Sequence, residues 1–167
     1  MPKPPSKTNA ARLLERARVR YELREYAVDS AHLGAAEVAR QVGMDPRTVF
    51  KTLVAHGDRH GHCFAVVPAT AELDLKLLAR ASDNRKVAMV ALKEVQPLTG
   101  YIRGGVTALG ARRNFPVFID RSALDHDAIA VSAGLKGMQM VLAPGDYVRV
   151  TVATVAPLVQ LSPGAAQ

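Results

Sequence analysis

Two apolar runs rich in β-branched and aromatic residues, Thr48–Ala55 (TVFKTLVA) and Cys63–Ala69 (CFAVVPA), flank the polar stretch His56–His62 (HGDRHGH). Asp45-Pro46 bounds the first run, so the pattern predicts an antiparallel hairpin with a loop of about six residues, and a fold organised around a sheet. Lys51 stands in the middle of the first strand. Among Val49, Phe50, Leu53 and Val54, its ammonium either faces water on the alternating side or enters a cleft where an anion replaces its lost hydration. On this fragment alone the solvated alternative is favoured, because buried lysines are rare.

The flanking segments supply helices and short strands without a regular βαβ rhythm. Thr8 can cap a helix running to about Arg18. Tyr21–Val28 alternates as a strand with one wet face, Tyr21, Leu23 and Glu25 against Glu22, Arg24 and Tyr26. GAAEVARQVG, from Gly34, is a short amphipathic helix stopped by Gly43. Glu72–Ala81 is a further helix, a short strand follows from Val87, and Leu92–Leu98 forms a helical turn ended by Pro97 and Thr99-Gly100. Gly100–Gly110 holds four of the chain's 12 glycines, a density that requires tight turns or close approach to bare backbone. Strands are expected at Phe115–Asp120, Ile129–Ser132 and Met138–Leu142, a short helix or turn at Pro144–Asp146, and a last strand-like run at Thr151–Val159. The fold class is α+β: one domain with a mainly antiparallel, curled, barrel-like mixed sheet surrounded by short helices. Residues 1–7 are expected to be a disordered lead-in, residues 8–158 the domain, and residues 159–167 a flexible tail.

With 167 residues, 49% hydrophobic and 22% charged, the chain can bury a full core without staples. Its single cysteine, Cys63, excludes an internal disulfide and suggests a reducing, cytoplasmic setting. No signal-peptide h-region or membrane-length apolar run is found, so no membrane partner is expected. The net charge is +7, and it is spread over both halves: 13 Lys/Arg against 10 Asp/Glu in residues 1–83, and 9 against 5 in residues 84–167. A basic body rather than a basic tail suits a surface that meets phosphates, although composition also allows a basic domain with an unrelated small ligand.

No Walker loop, dinucleotide-binding glycine turn, HExxH or GxSxG motif occurs, so no cofactor is expected. His56, His60 and His62 lack the carboxylate or thiolate spacing that would close a metal site, and no metal is expected either. Cys63 has no accompanying base and is expected in the core.

Taken together, VFKTLVA around Lys51, LDLKLLARA from Leu73, TGYIRGGVTALG from Thr99, FPVFID from Phe115 and IAVSAGLKGMQMVLAPGDYV from Ile129 are specific. In order and spacing the chain resembles the YbaK type of free-standing aminoacyl-tRNA deacylase, related to the editing domain of bacterial prolyl-tRNA synthetases. The resemblance covers Leu13 to Val155. It implies removal of a wrong amino acid, cysteine first, from tRNA(Pro). The expected partners are the 3′ terminus of aminoacylated tRNA and a prolyl-tRNA synthetase to which choice of acceptor stem is delegated. The family's essential lysine falls on Lys51. Its pocket residues fall on Tyr26, Leu33, Thr52, Gly104, Gly105, Ser132, Ala133, Gly134 and Gln139.

An aminoacyl ester is already activated, so such a site has to hold the carbonyl, stabilise its oxyanion and position a nucleophile. Backbone at Gly104-Gly105 and Ala133-Gly134 could bring N–H groups to that oxygen. In the mechanism the resemblance implies, the substrate's thiol attacks its own ester and leaves as a thiolactone, with Lys51 acting as a cation on a phosphate or the ester oxygens. The chain departs from the family pattern at Ala108, where a proline is missing, at Leu33, where an aromatic is replaced, at Ala133, where Gly-Gly becomes Ala-Gly, and at Gln139, where an aspartate is replaced. These departures leave two alternatives open: a deacylase for another small amino acid such as alanine or serine, and a non-catalytic tRNA- or synthetase-associated module of the same fold.

Overall fold

The computed structural model describes residues 7–28 and 33–160. In chain order it contains α1 (Asn9–Arg16), β1 (Glu22–Glu25), α2 (Ala35–Val42), β2 (Phe50–Gly57), β3 (Gly61–Pro68), α3 (Leu75–Ala81), β4 (Val87–Met89), α4 (Leu92–Thr99), β5 (Val117–Asp120), β6 (Ile129–Ser132), β7 (Met138–Leu142), α5 (Pro144–Thr151) and β8 (Thr154–Ala156). Local chemistry fixes several ends. The Thr8 hydroxyl accepts the Ala11 N–H, the Asp74 carboxylate accepts those of Lys76 and Leu77, and Gly43 closes α2 at φ 71°, each satisfying groups a helix end leaves open.

The strands form two sheets, β1-β7-β6 and β4-β2-β3-β5-β8. The first is antiparallel throughout. The second is mixed, antiparallel across β4-β2-β3 and parallel across β3-β5-β8. A single parallel bridge, Val49 to Ala130, joins them, so the strands curl round a common core without closing a barrel. That core takes Phe50, Val54, Phe64, Val66 and Ile119 from the large sheet and Ile129, Val131, Met138 and Met140 from the small one, with Leu14, Leu109 and Tyr147 between. The outer face of the large sheet packs Ala55, Ala65 and Val67 under Leu78 of α3. A third cluster, Ala39, Val49, Ala130 and Val141, seats α2 over the seam between the sheets.

Several expectations are corrected. The hairpin loop is three residues, Asp58–His60, because the ladder runs on through His56↔His62 and Gly57↔Gly61. Polar composition reads as a turn, yet these histidines face each other across the strands with ring centroids 4.7 Å apart. β1 covers only Glu22–Glu25 and leaves Leu23 41% exposed; as the outer strand of its sheet it has no second layer to bury an apolar face. The last strand-like run is divided, since Thr151 ends α5 and β8 begins only at Thr154. The lead-in and tail lie mainly outside the described residues, but Lys7 pairs with Glu15 and Gln160 donates to Asp74. The adjoining Leu158 N–H is held at 2.8 Å by the buried Asp120 carboxylate.

Candidate active site

β2 is held on both sides along only part of its length. Val90 N–H donates to Val54 O at 3.1 Å and Asp58 N–H to Lys86 O at 3.0 Å, so the even-numbered residues turn their main-chain groups toward β4. Odd-numbered residues turn theirs toward β3, as Ala69 N–H to Val49 O shows, in the alternation antiparallel pairing requires. β4 pairs with β2 only over Ala55–Gly57, and β6, which runs beside β2, forms a ladder bridge only at Val49. Thr52 lies between these two pairings and, among the described residues, has no strand partner on that side.

A cleft of about 540 Å³ occupies that gap. Its floor is β2 from Phe50 to Val54; α2 contributes Ala35 and Val38, the start of α4 contributes Leu92 and Val95, and Arg103 and Gly104 lie opposite Ser132 and Gln139. Lys51 lines it half-buried, on the face of β2 opposite Phe50 and Val54. Among the described residues Lys51 makes no ion pair. Among the described residues the lining includes one other charged side chain, Arg103, and no carboxylate. Two cations in a recess whose described lining holds no carboxylate are complementary to an anionic ligand that enters and partly replaces their hydration.

Polar groups without partners collect at the same place. Gln139 is 7% exposed, and its Oε1 has no hydrogen-bond partner. The Thr52 and Tyr147 hydroxyls are also buried, with no partner beyond each other among the described residues. They lie side by side: burial raises the Tyr147 phenol far above its ordinary pKa, and the Thr52 hydroxyl opposes that rise. Tyr147 is fully buried and outside the cleft lining, so its hydroxyl and that of Thr52 answer each other, and Gln139 Oε1 is the orphan in the lining whose missing partner a ligand can supply.

The expected site residues divide into two groups. Leu33, Lys51, Thr52, Gly104, Ser132 and Gln139 line the cleft; Tyr26, Gly105, Ala133 and Gly134 do not. The Tyr26 N–H donates to Gly137 O at 2.9 Å, which ties the chain after β1 to the β6–β7 turn. The glycines serve loop packing. A Cβ on Gly134, at φ +96°, would stand 2.9 Å from the Tyr101 ring, and one on Gly105 would stand 3.1 Å from the Leu135–Lys136 backbone. Tyr101 is itself pinned by donating to Leu109 O at 2.8 Å, while the Ser132 hydroxyl accepts the Gly134 N–H at 3.1 Å. Loops 100–110 and 133–137 thus interlock and present Gly104, Ser132 and Arg103 as one wall.

Arg103 and the apolar wall of Met89, Val90, Leu92 and Val95 were not anticipated. A lone cation inside the glycine-rich segment is the only sequence signal for the former. The histidines give no metal centre: no group of three or more possible ligands occurs among the described residues, and His60 instead lies 3.5 Å from Asp83. Cys63 is buried in the core, with its thiol pushed up to about 11 by burial.

Residues 30–150 match the family model described as an aminoacyl-tRNA editing domain. The chain belongs to that family. It is 45% identical over 145 residues, 87% of this chain and 88% of the other, to a protein of Enterococcus faecalis (strain ATCC 700802 / V583) provisionally named Cys-tRNA(Pro)/Cys-tRNA(Cys) deacylase EbsC. Two crystal structures share the fold. One, provisionally titled a trans-editing enzyme for prolyl tRNA synthetase, is 23% identical with a TM-score of 0.80, covering 95% of this chain and 99% of its own. The other, a hypothetical protein, is 22% identical with a TM-score of 0.81, covering 92% and 100%. Family membership makes aminoacyl-tRNA the substrate class. No helix among the described residues is long and apolar enough to cross a membrane.

Proposed function

We propose that this protein is a trans-editing deacylase acting in the cytoplasm, which removes a mischarged amino acid, cysteine first, from tRNA(Pro), with prolyl-tRNA synthetase supplying the choice of acceptor stem. The observation that carries this reading is Lys51: among the described residues, a half-buried lysine without an ion-pair partner, in a cleft lined by no carboxylate. Lys51 acts as a fixed cation on the terminal adenosine's phosphate or the ester oxygens. In that role it serves as an electrostatic group rather than a base. Leu33, Thr52, Gly104, Ser132 and Gln139 shape the pocket around the aminoacyl group. Tyr26, Gly105, Ala133 and Gly134 act as positioning residues that hold its walls.

With a cysteinyl ester the substrate carries its own nucleophile. Its sulfur attacks the ester carbonyl, a C–S bond forms, the C–O bond to the terminal ribose breaks, and the thiol's proton goes to the departing ribose oxygen. The products are a thiolactone and tRNA with a free 3′ end, and intramolecularity lends that attack a high effective concentration. Water attack on the same carbonyl would give free cysteine instead. A neutral amide at Gln139 favours a second reading, in which the pocket accepts alanine or serine and water is the nucleophile, because a small change of lining shifts preference between such residues by only about 1–3 kcal/mol.

Incubation with Cys-tRNA(Pro), Ala-tRNA(Pro) and Ser-tRNA, followed by chromatography of the released acyl group, tests both readings. Loss of cysteine as thiolactone from the first substrate is the expected result. Release of alanine or serine alone selects the second reading, and intact substrates throughout leave a binding module.

A further inference from the structure

The tRNA body has to lie somewhere outside a cleft that holds only its 3′ end, and the charge pattern around the cleft points one way. From Val95 to Ile119 the chain has no carboxylate, and from Ala128 to Gly145 it again has none. Within these stretches stand Arg103, Arg112, Arg113 and Lys136, all exposed and all without an ion pair among the described residues. The fold brings both stretches to the same rim. Lys136 lies along Gly104, 3.3 Å from where a Cβ would sit, and Arg103 lines the cleft mouth. Arg112 is anchored at the far end of α4: its N–H donates to Thr99 O at 2.8 Å, and its Nη1 donates to Pro97 O at 3.2 Å. Arg113 follows it toward the hairpin, close enough to His62 to help lower that imidazole's pKa, behind burial and the His56 charge and against Glu94 of α4, which raises it.

We propose that Arg112 and Arg113, continuing from Arg103 and Lys136 at the rim, form the phosphate track on which the acceptor stem lies when its 3′ end occupies the cleft. This rests on the deacylase reading above and adds a direction to it, since the stem leaves the cleft along α4 toward the His62 end of the hairpin. Eight helical residues measure about 12 Å, on the order of three to four phosphate steps of one strand. A strand emerging at Leu92 therefore meets Arg112 within its first few phosphates. Cations whose side chains are unpaired, on loops interlocked at Gly104–Lys136 and Gly134–Tyr101, gain from phosphate contacts without first breaking ion pairs. Arg80 stands on α3, over the face of the large sheet away from His62 and Phe115, and Arg85 follows that helix; both are equally exposed.

The test measures the salt dependence of binding to an uncharged tRNA(Pro) transcript, together with deacylation of cysteinyl-tRNA(Pro) and of 3′-cysteinyl-adenosine, which has no stem. Each lost contact to a duplex phosphate lowers the slope of log affinity against log salt by about 0.9. Between about 50 and about 200 mM salt the wild type should thus lose about tenfold more affinity than Arg112→Ala/Arg113→Ala. The double variant should show a raised KM on the tRNA, an unchanged kcat, and wild-type rates on the stemless ester. Arg112→Lys/Arg113→Lys should keep the wild-type slope, which separates charge from loop folding. An unchanged slope in the alanine pair, an equal loss in Arg80→Ala/Arg85→Ala, or an equal defect on cysteinyl-adenosine overturns the track. A wild type that binds tRNA steeply but deacylates nothing overturns the deacylase reading instead.

Discussion

The two ends of β2 differ in a way that separates function from structure. At the hairpin end the strand is paired on both sides, and polar groups there are matched in detail. The Asp58 carboxylate accepts the Arg85 and Lys86 N–H groups at 2.9 and 3.2 Å, and Asn84 Oδ1 accepts those of Arg59 and His60 at 2.9 and 3.0 Å. Asn84 lies flat on Gly57, so closely that a Cβ there would fall 2.2 Å from its amide. At the other end the pairing fails on one side, and among the described residues Thr52, the orphaned Gln139 Oε1 and the unpaired Lys51 collect in the gap. The end richer in conspicuous residues, three histidines and an aspartate, is a closed structural knot. The plainer end, one lysine among apolar neighbours, is left unfinished for a ligand to complete.

The comparison breaks first on Lys51. Replacement by alanine removes the cleft cation from a position with no internal ion-pair partner among the described residues, so deacylation should fall by at least about 100-fold, as for loss of a charge-stabilising group. Thermal stability should change by less than about 1 kcal/mol, because surface-type cations contribute little. His56→Ala, at the other end of the same strand, should leave the deacylation rate within about twofold of wild type. Parallel rate and melting measurements on the two variants decide it. A His56 variant as inactive as the Lys51 variant would dissolve the distinction.

Asn84→Ala is the reverse case. It strips the partner from two loop N–H groups and from Ser82, whose hydroxyl accepts from Asn84 at 2.8 Å. With about 1 kcal/mol net for each of these three hydrogen bonds, the loss should be about 3 kcal/mol, or about 6–12 °C in Tm for a domain of this size. Activity below the transition should be retained. A melting curve coincident with wild type would show that the knot is less tightly tied than its geometry implies.

What could be foreseen from sequence follows the range of the interactions. The Thr8 cap, the Gly43 stop and the strand around Lys51 depend on neighbours within a few positions, and each stands in the structure. The hairpin turn was drawn too long because His, Gly and Asp raise turn propensity, whereas His56–His62 pairing and the Asn84 brace come from across the ladder and from 24 or more residues away. Parallel pairing of β5 with β3 and β8 leaves no local trace. The glycine cluster at 100–110 was visible as a demand for close approach, but its partner, the turn at 133–137, becomes evident only when Tyr101 is seen against Gly134. The family resemblance makes Gly104-Gly105 and Ala133-Gly134 candidate oxyanion donors. Packing makes most of them the fit between two loops, and Gly104 alone among them reaches the cleft.

The smallest effect concerns His62, at the closed end. Its imidazole is held below the ordinary 6.5, chiefly by burial and then by the charge of His56, and its ring packs on Phe115 with centroids 5.1 Å apart. Lowering means that the unfolded chain binds the proton more readily than the folded one. The neutral ring's contribution is therefore fully present above pH 6.5 and is lost as pH falls through the lower, folded-state value. His62→Phe removes the titrating group while keeping a ring against Phe115, so it should flatten the decline in stability between about pH 7 and about pH 5 by less than about 1 kcal/mol. Its deacylation at pH 7.5 should match wild type, because the ring lies outside the cleft. Denaturant midpoints at both pH values measure the difference. An acid limb as steep in His62→Phe as in wild type would move the linkage elsewhere and leave the knot without a pH-sensitive member.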